Sequence, residues 1–213
     1  MIVELENFII ESNGELKYKD EIINNLQKNT AKFLEFFELK KLSKKLKIVI
    51  YDSHEEYKAH MEEHVSDFKD WMIGDTYGGN INLLSYDEVV KLDSHKNMTF
   101  NGFLKCILHE FVHVCQSEYG NNQRELKWFW EGLAVNLSGQ PNKGKDLSDC
   151  DFALLKKDFN NVEGNYDYAY EIVKYILEEY SHDEVMEFVK NPEYLKKVER
   201  EIFERAIEKQ YKK

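Results

Sequence analysis

The segment His109-Glu110-Phe111-Val112-His113 constrains this chain more than any other, because it places two histidines within a strongly apolar stretch. Apolar residues flank the segment at helical spacing, namely Leu104, Ile107, Leu108 and Val114. This pattern predicts a buried helix, and residues four apart on a helix project from the same face. Buried imidazoles need polar partners, and one metal ion bound by both rings would satisfy them. The alternative is a buried helix whose histidines bond to other polar groups.

A carboxylate in a second apolar segment extends the pattern. Glu131 lies within Trp128-Phe129-Trp130-Glu131-Gly132-Leu133-Ala134, which predicts another buried helix. Two histidines and one carboxylate leave a fourth position for water, as in catalytic rather than closed structural zinc sites. Glu110, next to the first histidine, would act as a general base on that water. The small residues Gly132 and Ala134 would let this helix approach a neighbour closely.

Composition excludes several other classes of protein. The chain has 213 residues, enough for one sizeable core or two lobes, and a formal net charge of −11. That acidity disfavours nucleic-acid binding, which depends on Lys and Arg. No apolar stretch approaches the ~20 residues of a membrane span, and no signal peptide is evident, so we expect a cytoplasmic protein. Cys106 and Cys115 are expected to be small buried side chains rather than disulfide partners.

Periodicity predicts an α+β fold with strands first and helices last. The strands are expected at 2–12, 46–51, 71–77 and 80–84, with a turn at Gly78-Gly79. The helices are expected at 19–37, from a cap at Asp52 or Ser53 to about His64, and from Asn97 or Thr99 to a stop at 120–122. Further helices are expected at 125–138 and from Tyr166 to the end, with breaks near Ser181 and at Asn191-Pro192. We expect a single domain with an N-terminal lobe of mixed β-sheet and helices, about 1–120, and a helical lobe, about 121–213.

The two motifs together resemble those of the gluzincin metallopeptidases, in particular the peptidase MA-like group related to the zinc aminopeptidases. Those families show HExxH and then a Glu in an EGxA context, matched here by HEFVH and WFWEGLA. The resemblance implies a zincin-like fold with the HExxH helix at the cleft, and one Zn²⁺ per chain held by His109, His113 and Glu131. It also implies that Glu110 is the catalytic base. Weaker similarity extends over about residues 45–190.

The same resemblance suggests further site residues. Tyr166 best matches the tyrosine that stabilises the oxyanion in zinc aminopeptidases, and Tyr170 is the second choice; the alternative is that both only pack at the edge of the core. Gly79, Asn80, Ile81 and Asn82 match the strand that lines the cleft, where an exposed edge would pair with an extended peptide. An ordinary hairpin is the alternative there. Ile81 replaces a Glu of the aminopeptidases, which favours internal cleavage.

A second histidine pair matches the inverted zinc motif HxxEH, at His60-Met61-Glu62-Glu63-His64. Its neighbours are mostly polar and charged, so we expect a solvated helix face rather than a buried site. His54, His95 and His182 are expected at the surface.

Taken together, the patterns predict zinc-dependent hydrolysis of a peptide or protein substrate. Two alternatives remain, namely an inactive zinc-binding pseudo-peptidase that binds peptides and a helical interaction protein without metal. No membrane or nucleic-acid partner is expected, and the sequence does not determine the oligomeric state.

Overall fold

The computed structural model describes residues 1–120 and 126–212 and shows the mixed α+β class that the sequence predicts. Its contacts divide the chain into two compact units, Met1–Val114 and Cys115–Lys213. The first unit contains the β-sheet, and the second unit is helical in its described part. The division falls inside one continuous helix, Phe100–Gly120.

A five-stranded mixed sheet forms the centre of the first unit. Its strands are β1 (Ile2–Glu4), β2 (Phe8–Ser12), β3 (Leu46–Tyr51), β4 (Gly74–Tyr77) and β5 (Asn80–Leu84). The order across the sheet is β1-β2-β3-β5-β4. Strands β2, β3 and β5 run parallel, whereas β1 and β4 are antiparallel to their neighbours. Both β1 and β4 therefore lie at edges of the described sheet.

The helices follow the predicted periodicity closely. They are α1 (Lys19–Phe36), α2 (His54–Glu62), α3 (Tyr86–Val89), α4 (Phe100–Gly120), α5 (Lys127–Ser138), α6 (Phe152–Lys157), α7 (Asn165–Glu179), α8 (His182–Lys190) and α9 (Pro192–Tyr211). Side-chain caps set several of their starts: Ser53 caps α2, and Ser181 forms a capping box with Glu184 at α8. Pro192 occupies the first turn of α9, where its missing N–H costs nothing.

Aromatic packing joins α1 and α4 to one face of the sheet. The ring of Phe111 on α4 contacts Phe8 on β2 and Phe33 on α1, both at 5.7 Å between ring centroids. All three rings are almost fully buried. Because side chains alternate along a strand, Phe8 and Ile10 project to this face together. The opposite face is covered at β3 and β5 by α2, which buries Tyr57.

The hairpin between β4 and β5 depends on two glycines. Gly78 and Gly79 both have positive φ, at 62° and 73°, and Tyr77 pairs with Asn80 on either side of them. Two central residues with positive φ are what a type I′ turn requires, and glycine adopts that conformation without steric cost. The turn places β4 alongside β5 and so determines which strand forms the edge.

Close helix packing organises the second unit. Gly132 on α5 faces α7 so closely that an added Cβ would lie 2.5 Å from the carbonyl oxygen of Ala169. Asn136, one turn later, donates to the Tyr170 carbonyl oxygen at 3.1 Å. The prediction that Gly132 permits a close approach is therefore confirmed, and the partner is α7.

Two details differ from the sequence prediction. The single strand expected at 2–12 is two strands, because the chain turns back where Leu5 N–H donates to the Phe8 carbonyl oxygen at 2.8 Å. The short helix α6, Phe152–Lys157, lies in a stretch for which the sequence predicted no element. Asn121, Asn122 and Glu125, which the sequence assigns to a helix stop and a helix start, lie outside the described residues.

No helix in the described part of the chain is long and apolar enough to cross a membrane. Cys106, Cys115 and Cys150 form no disulfide with one another. Cys115 is fully buried, as expected, whereas Cys106 is only partly buried. Burial raises the pKa of the Cys115 thiol well above its usual range, so it remains protonated at neutral pH.

We expect Gly132→Ala to lower the free energy of unfolding by about 2 kcal/mol, because the new methyl group meets the α7 backbone. Urea denaturation would measure the change. Gly102→Ala is the control, since its Cβ has ordinary contacts of 3.4 Å or more within a helix. That variant should change stability by less than about 1 kcal/mol. Equal stability of the two variants would contradict the close approach of α5 and α7.

Candidate metal centre

Helix α4 places His109 and His113 side by side, one turn apart. Thr99 Oγ1 accepts from Gly102 N–H at 3.1 Å and so fixes where the helix begins, at one of the two caps that the sequence offered. The two imidazole rings lie 4.6 Å apart between centroids, and each offers a ring nitrogen within 4.8 Å of the other. Both side chains are buried, with exposures of 7% and 6%. The two histidines therefore share one face of a buried helix, as the spacing predicts.

Glu110 lies between the two histidines in sequence and is held by strand β4. Thr76 Oγ1 donates to Glu110 Oε2 at 2.9 Å, and the same hydroxyl reaches the Glu110 carbonyl oxygen at 3.3 Å. Gly74, two residues before Thr76, faces the same carboxylate, since an added Cβ would lie at an ordinary contact distance of 3.5 Å from Glu110 Oε1. Glu110 is itself almost buried. The carboxylate thus has a defined position beside the strand.

The strand next to Glu110 is an edge strand, and it is not the one that the sequence suggested. Strand β5 was expected to be an exposed edge, but it lies between β3 and β4. Ile81 and Asn82 are buried and have hydrogen-bonded strands on both sides, so backbone pairing with a peptide is closed to them. Gly79 lies in the turn, and Asn80 follows it. The hairpin alternative is the correct interpretation, and β4 takes the edge position.

Glu131 lies on α5 among buried residues of the second unit. Trp130 and Gly132 on either side of it are buried, and Glu131 is partly exposed. Gln116, in the last turns of α4, donates from Nε2 to the Trp130 carbonyl oxygen at 3.1 Å. A fully buried glutamine amide thereby ties α4 to the residue that precedes Glu131.

Tyr166 and Tyr170 both lie on α7, the helix against which Gly132 packs. The Tyr166 ring contacts Phe159 edge-on at 5.3 Å between centroids. The Tyr170 ring lies 5.9 Å from Lys174 Nζ. Both side chains are partly exposed rather than buried in the core. These contacts do not distinguish a catalytic role from packing at the core edge, so that choice stays a prediction.

The chemistry of the donor set fits a zinc ion. Neutral imidazole nitrogen is a preferred zinc ligand, and two histidines at i and i+4 can reach one ion without distorting the helix. Their burial excludes water from one side of the pair and so strengthens electrostatic interactions there. Glu110 is adjacent and is oriented by Thr76, which is the placement that a general base requires.

Several features near the site were missed by sequence reasoning. Thr76 belongs to no recognisable sequence motif, and only the pairing of β4 with β5 in the sheet places it beside Glu110. The histidines of α2 were expected on a solvated face, which is wrong: His54, His60 and His64 are all partly buried. Aromatic residues at Tyr57 and Phe68 beside that helix were the available signal. His95, expected at the surface, is partly buried as well, and burial lowers its pKa.

No protein-family model matches the sequence. A search of curated proteins likewise finds no match.

We expect His113→Ala to lower the zinc bound by one ion per chain, because a single imidazole and one further ligand hold zinc weakly. Native mass spectrometry after exchange into micromolar zinc would measure the stoichiometry. His95→Ala is the matched control, since His95 belongs to the same unit and has no part in a ligand cluster. Unchanged zinc content in His113→Ala would contradict this assignment.

Proposed function

We propose that this protein is a zinc-dependent peptidase that hydrolyses a peptide or an exposed protein segment. The observation that carries the proposal is the hydrogen bond from Thr76 on edge strand β4 to Glu110, within the turn that carries His109 and His113. It joins a candidate base, a histidine pair suited to zinc and a strand edge suited to a peptide. The motif resemblance to the gluzincins supports the same activity, and the mixed sheet is compatible with the zincin-like fold that it implies.

Glu131 is proposed as the third ligand. Helix α4 is continuous from Phe100 to Gly120. His113 and Gln116 are three residues apart on it and are therefore neighbours on its surface. Gln116 bonds to the Trp130 carbonyl oxygen, and Glu131 is the next residue of α5. The motif resemblance to the gluzincins supports Glu131 rather than another acidic residue of the helical unit. A two-histidine, one-carboxylate set leaves a ligand position open for chemistry.

Zinc, when bound, would lower the pKa of a water molecule and polarise the scissile carbonyl group. Glu110 would accept the proton from that water and later deliver it to the leaving amine. Thr76 would orient the Glu110 carboxylate for this proton transfer by donating to Oε2. Tyr166, or failing that Tyr170, would donate a hydrogen bond to the developing oxyanion.

The substrate would pair with β4. Because β4 lies at the edge of the described sheet, one side of its backbone is not used by another strand. An extended peptide could add there as a further strand, with main-chain hydrogen bonds that do not depend on its side chains. Thr76 would then place Glu110 close to the backbone of the bound peptide. Such pairing suits internal cleavage, because main-chain hydrogen bonds along a strand do not require a free end of the peptide.

We expect Glu131→Ala to weaken zinc binding by at least about 100-fold while the protein remains folded. Competition with a chelator of known affinity would measure the change. Glu163→Ala is the control, because Glu163 is an exposed acidic residue of the same unit. Zinc affinity equal to that of the wild type would remove Glu131 from the site.

We expect Glu110→Gln to retain zinc and to lower kcat for peptide hydrolysis by about 10³-fold, because the amide cannot accept the proton. The assay is cleavage of a mixed peptide library by zinc-loaded protein, read by mass spectrometry. Glu118→Gln, on the same helix two turns later, is the control and should retain activity. Full zinc occupancy without cleavage by the wild type would instead identify a zinc-binding pseudo-peptidase.

A further inference from the structure

The two faces of β4 carry different chemistry. Thr76 projects towards Glu110, so its neighbours Asp75 and Tyr77 project to the opposite face of the sheet. Asp75 meets His64 there, with Oδ2 lying 2.7 Å from His64 Nε2. Strand β4 therefore contacts the HExxH helix on one face and the end of α2 on the other.

Three potential ligands converge at that second face. His60 lies in the last turn of α2 and His64 lies just after it, with ring centroids 5.0 Å apart. One ligand atom from each of His60, His64 and Asp75 lies within 4.8 Å of the other two. All three residues belong to the first unit. The donor set is two imidazole nitrogens and one carboxylate oxygen, which suits Zn²⁺ and similar divalent ions.

The polar atoms of this cluster are buried and lack partners among the described residues. His60 Nε2, His64 Nδ1 and Asp75 Oδ1 are each inaccessible to solvent and make no hydrogen bond. The His64 side chain is 10% exposed. Buried polar groups are rarely left unsatisfied, because each loses its hydration without compensation. A metal ion held by this cluster would supply a partner that the described residues do not.

The two rings are held in place by stacking. His60 stacks on Tyr51 with 5.3 Å between centroids, and His64 stacks on Tyr77 at 3.8 Å with nearly parallel planes. Both tyrosines belong to the sheet, Tyr51 on β3 and Tyr77 on β4. The stacking fixes the orientation of the imidazoles before a ligand arrives, which lowers the entropic cost of binding.

We propose that His60, His64 and Asp75 form a second metal site, which binds a divalent transition-metal ion such as Zn²⁺. This site goes beyond the proposed peptidase centre and shares no residue with it. A bound ion would link the end of α2 to edge strand β4. Since Thr76 on that strand orients Glu110, the ion would hold in place the edge at which we propose that substrate binds.

A hydrogen-bonded pair of His64 and Asp75 is the simpler alternative. That pair explains the 2.7 Å contact, but it uses only Nε2 of His64 and Oδ2 of Asp75. It leaves His60 Nε2 buried without a partner. A metal ion accounts for His60 as well, and for this reason His60 is the residue on which the two explanations differ.

The test is zinc stoichiometry and zinc-dependent stability of His60→Phe. Phenylalanine preserves the ring that stacks on Tyr51 but has no nitrogen to bind metal. The matched control is His54→Phe, because His54 Nε2 is also buried without a partner, yet His54 lies outside the ligand cluster. Native mass spectrometry would count bound zinc, and thermal unfolding with and without zinc would measure stabilisation.

We expect zinc to raise the melting temperature of the wild type by about 5 °C. His60→Phe should bind one zinc ion fewer per chain than the wild type and should lose this stabilisation. His54→Phe should keep both the zinc ion and the stabilisation. Without zinc, His60→Phe should be at least as stable as the wild type, since it removes an unsatisfied buried nitrogen. Unchanged zinc content in His60→Phe, or an equal loss in His54→Phe, would overturn the proposal and leave the His64–Asp75 pair alone.

Asp75→Asn provides a second variant in case His60→Phe does not fold. The amide oxygen can still accept from His64, but it is a much weaker zinc ligand than a carboxylate. Loss of one zinc ion supports the second site, and full retention overturns it. The His109→Ala/His113→Ala double variant separates the two centres. If the double variant keeps one zinc ion, and adding His60→Phe to it abolishes that binding, the second site is supported independently of the peptidase proposal. If the double variant binds no zinc, the second site is absent.

Discussion

Helix α4 buries two imidazoles and a carboxylate within five residues, and the surrounding structure has to satisfy all three. Burial comes from the apolar positions around them, above all Phe111, whose ring contacts both the sheet and α1. The same contacts that build the core of the first unit therefore desolvate His109 and His113. Desolvation without compensation would destabilise the fold. The Thr76 hydroxyl donates to Glu110, and we propose that the two histidines bind a metal ion.

Strand β4 contacts both histidine-bearing segments, one on each of its faces. It is short and lies at the edge of the sheet, and its side chains alternate between two polar environments. Thr76 orients the candidate base on one face, and Asp75 meets the α2 histidines on the other. Such a strand, with no further described strand paired to its outer side, suits the extended peptide that we propose as substrate. The Gly78-Gly79 turn makes this arrangement possible, because only a tight reversal places β4 outside β5.

Local sequence signals were sufficient for most elements. The strands at 46–51 and 80–84 have the predicted bounds, and α1, α7, α8 and α9 follow the predicted helical periodicity and breaks. They succeed because capping residues, glycine turns and apolar spacing act within a few residues of each other. The N-terminal segment was misjudged as one strand, since its reversal near Leu5 carries no glycine or proline. The candidate metal ligands His109 and His113 were identifiable for the same local reason, as i and i+4 on a helix.

The sequence by itself determined the α+β class, the buried helix with His109, Glu110 and His113, and the close approach of the helix that carries Gly132. Only the tertiary structure decided that β4 rather than β5 forms the edge, that Thr76 orients Glu110, and that His60 and His64 face Asp75 instead of solvent. Which residues share a face of a helix follows from the helical repeat of about 3.6 residues, which can be read from a short segment of sequence. Strand order and cross-element contacts depend on pairing between distant residues, which no local pattern encodes.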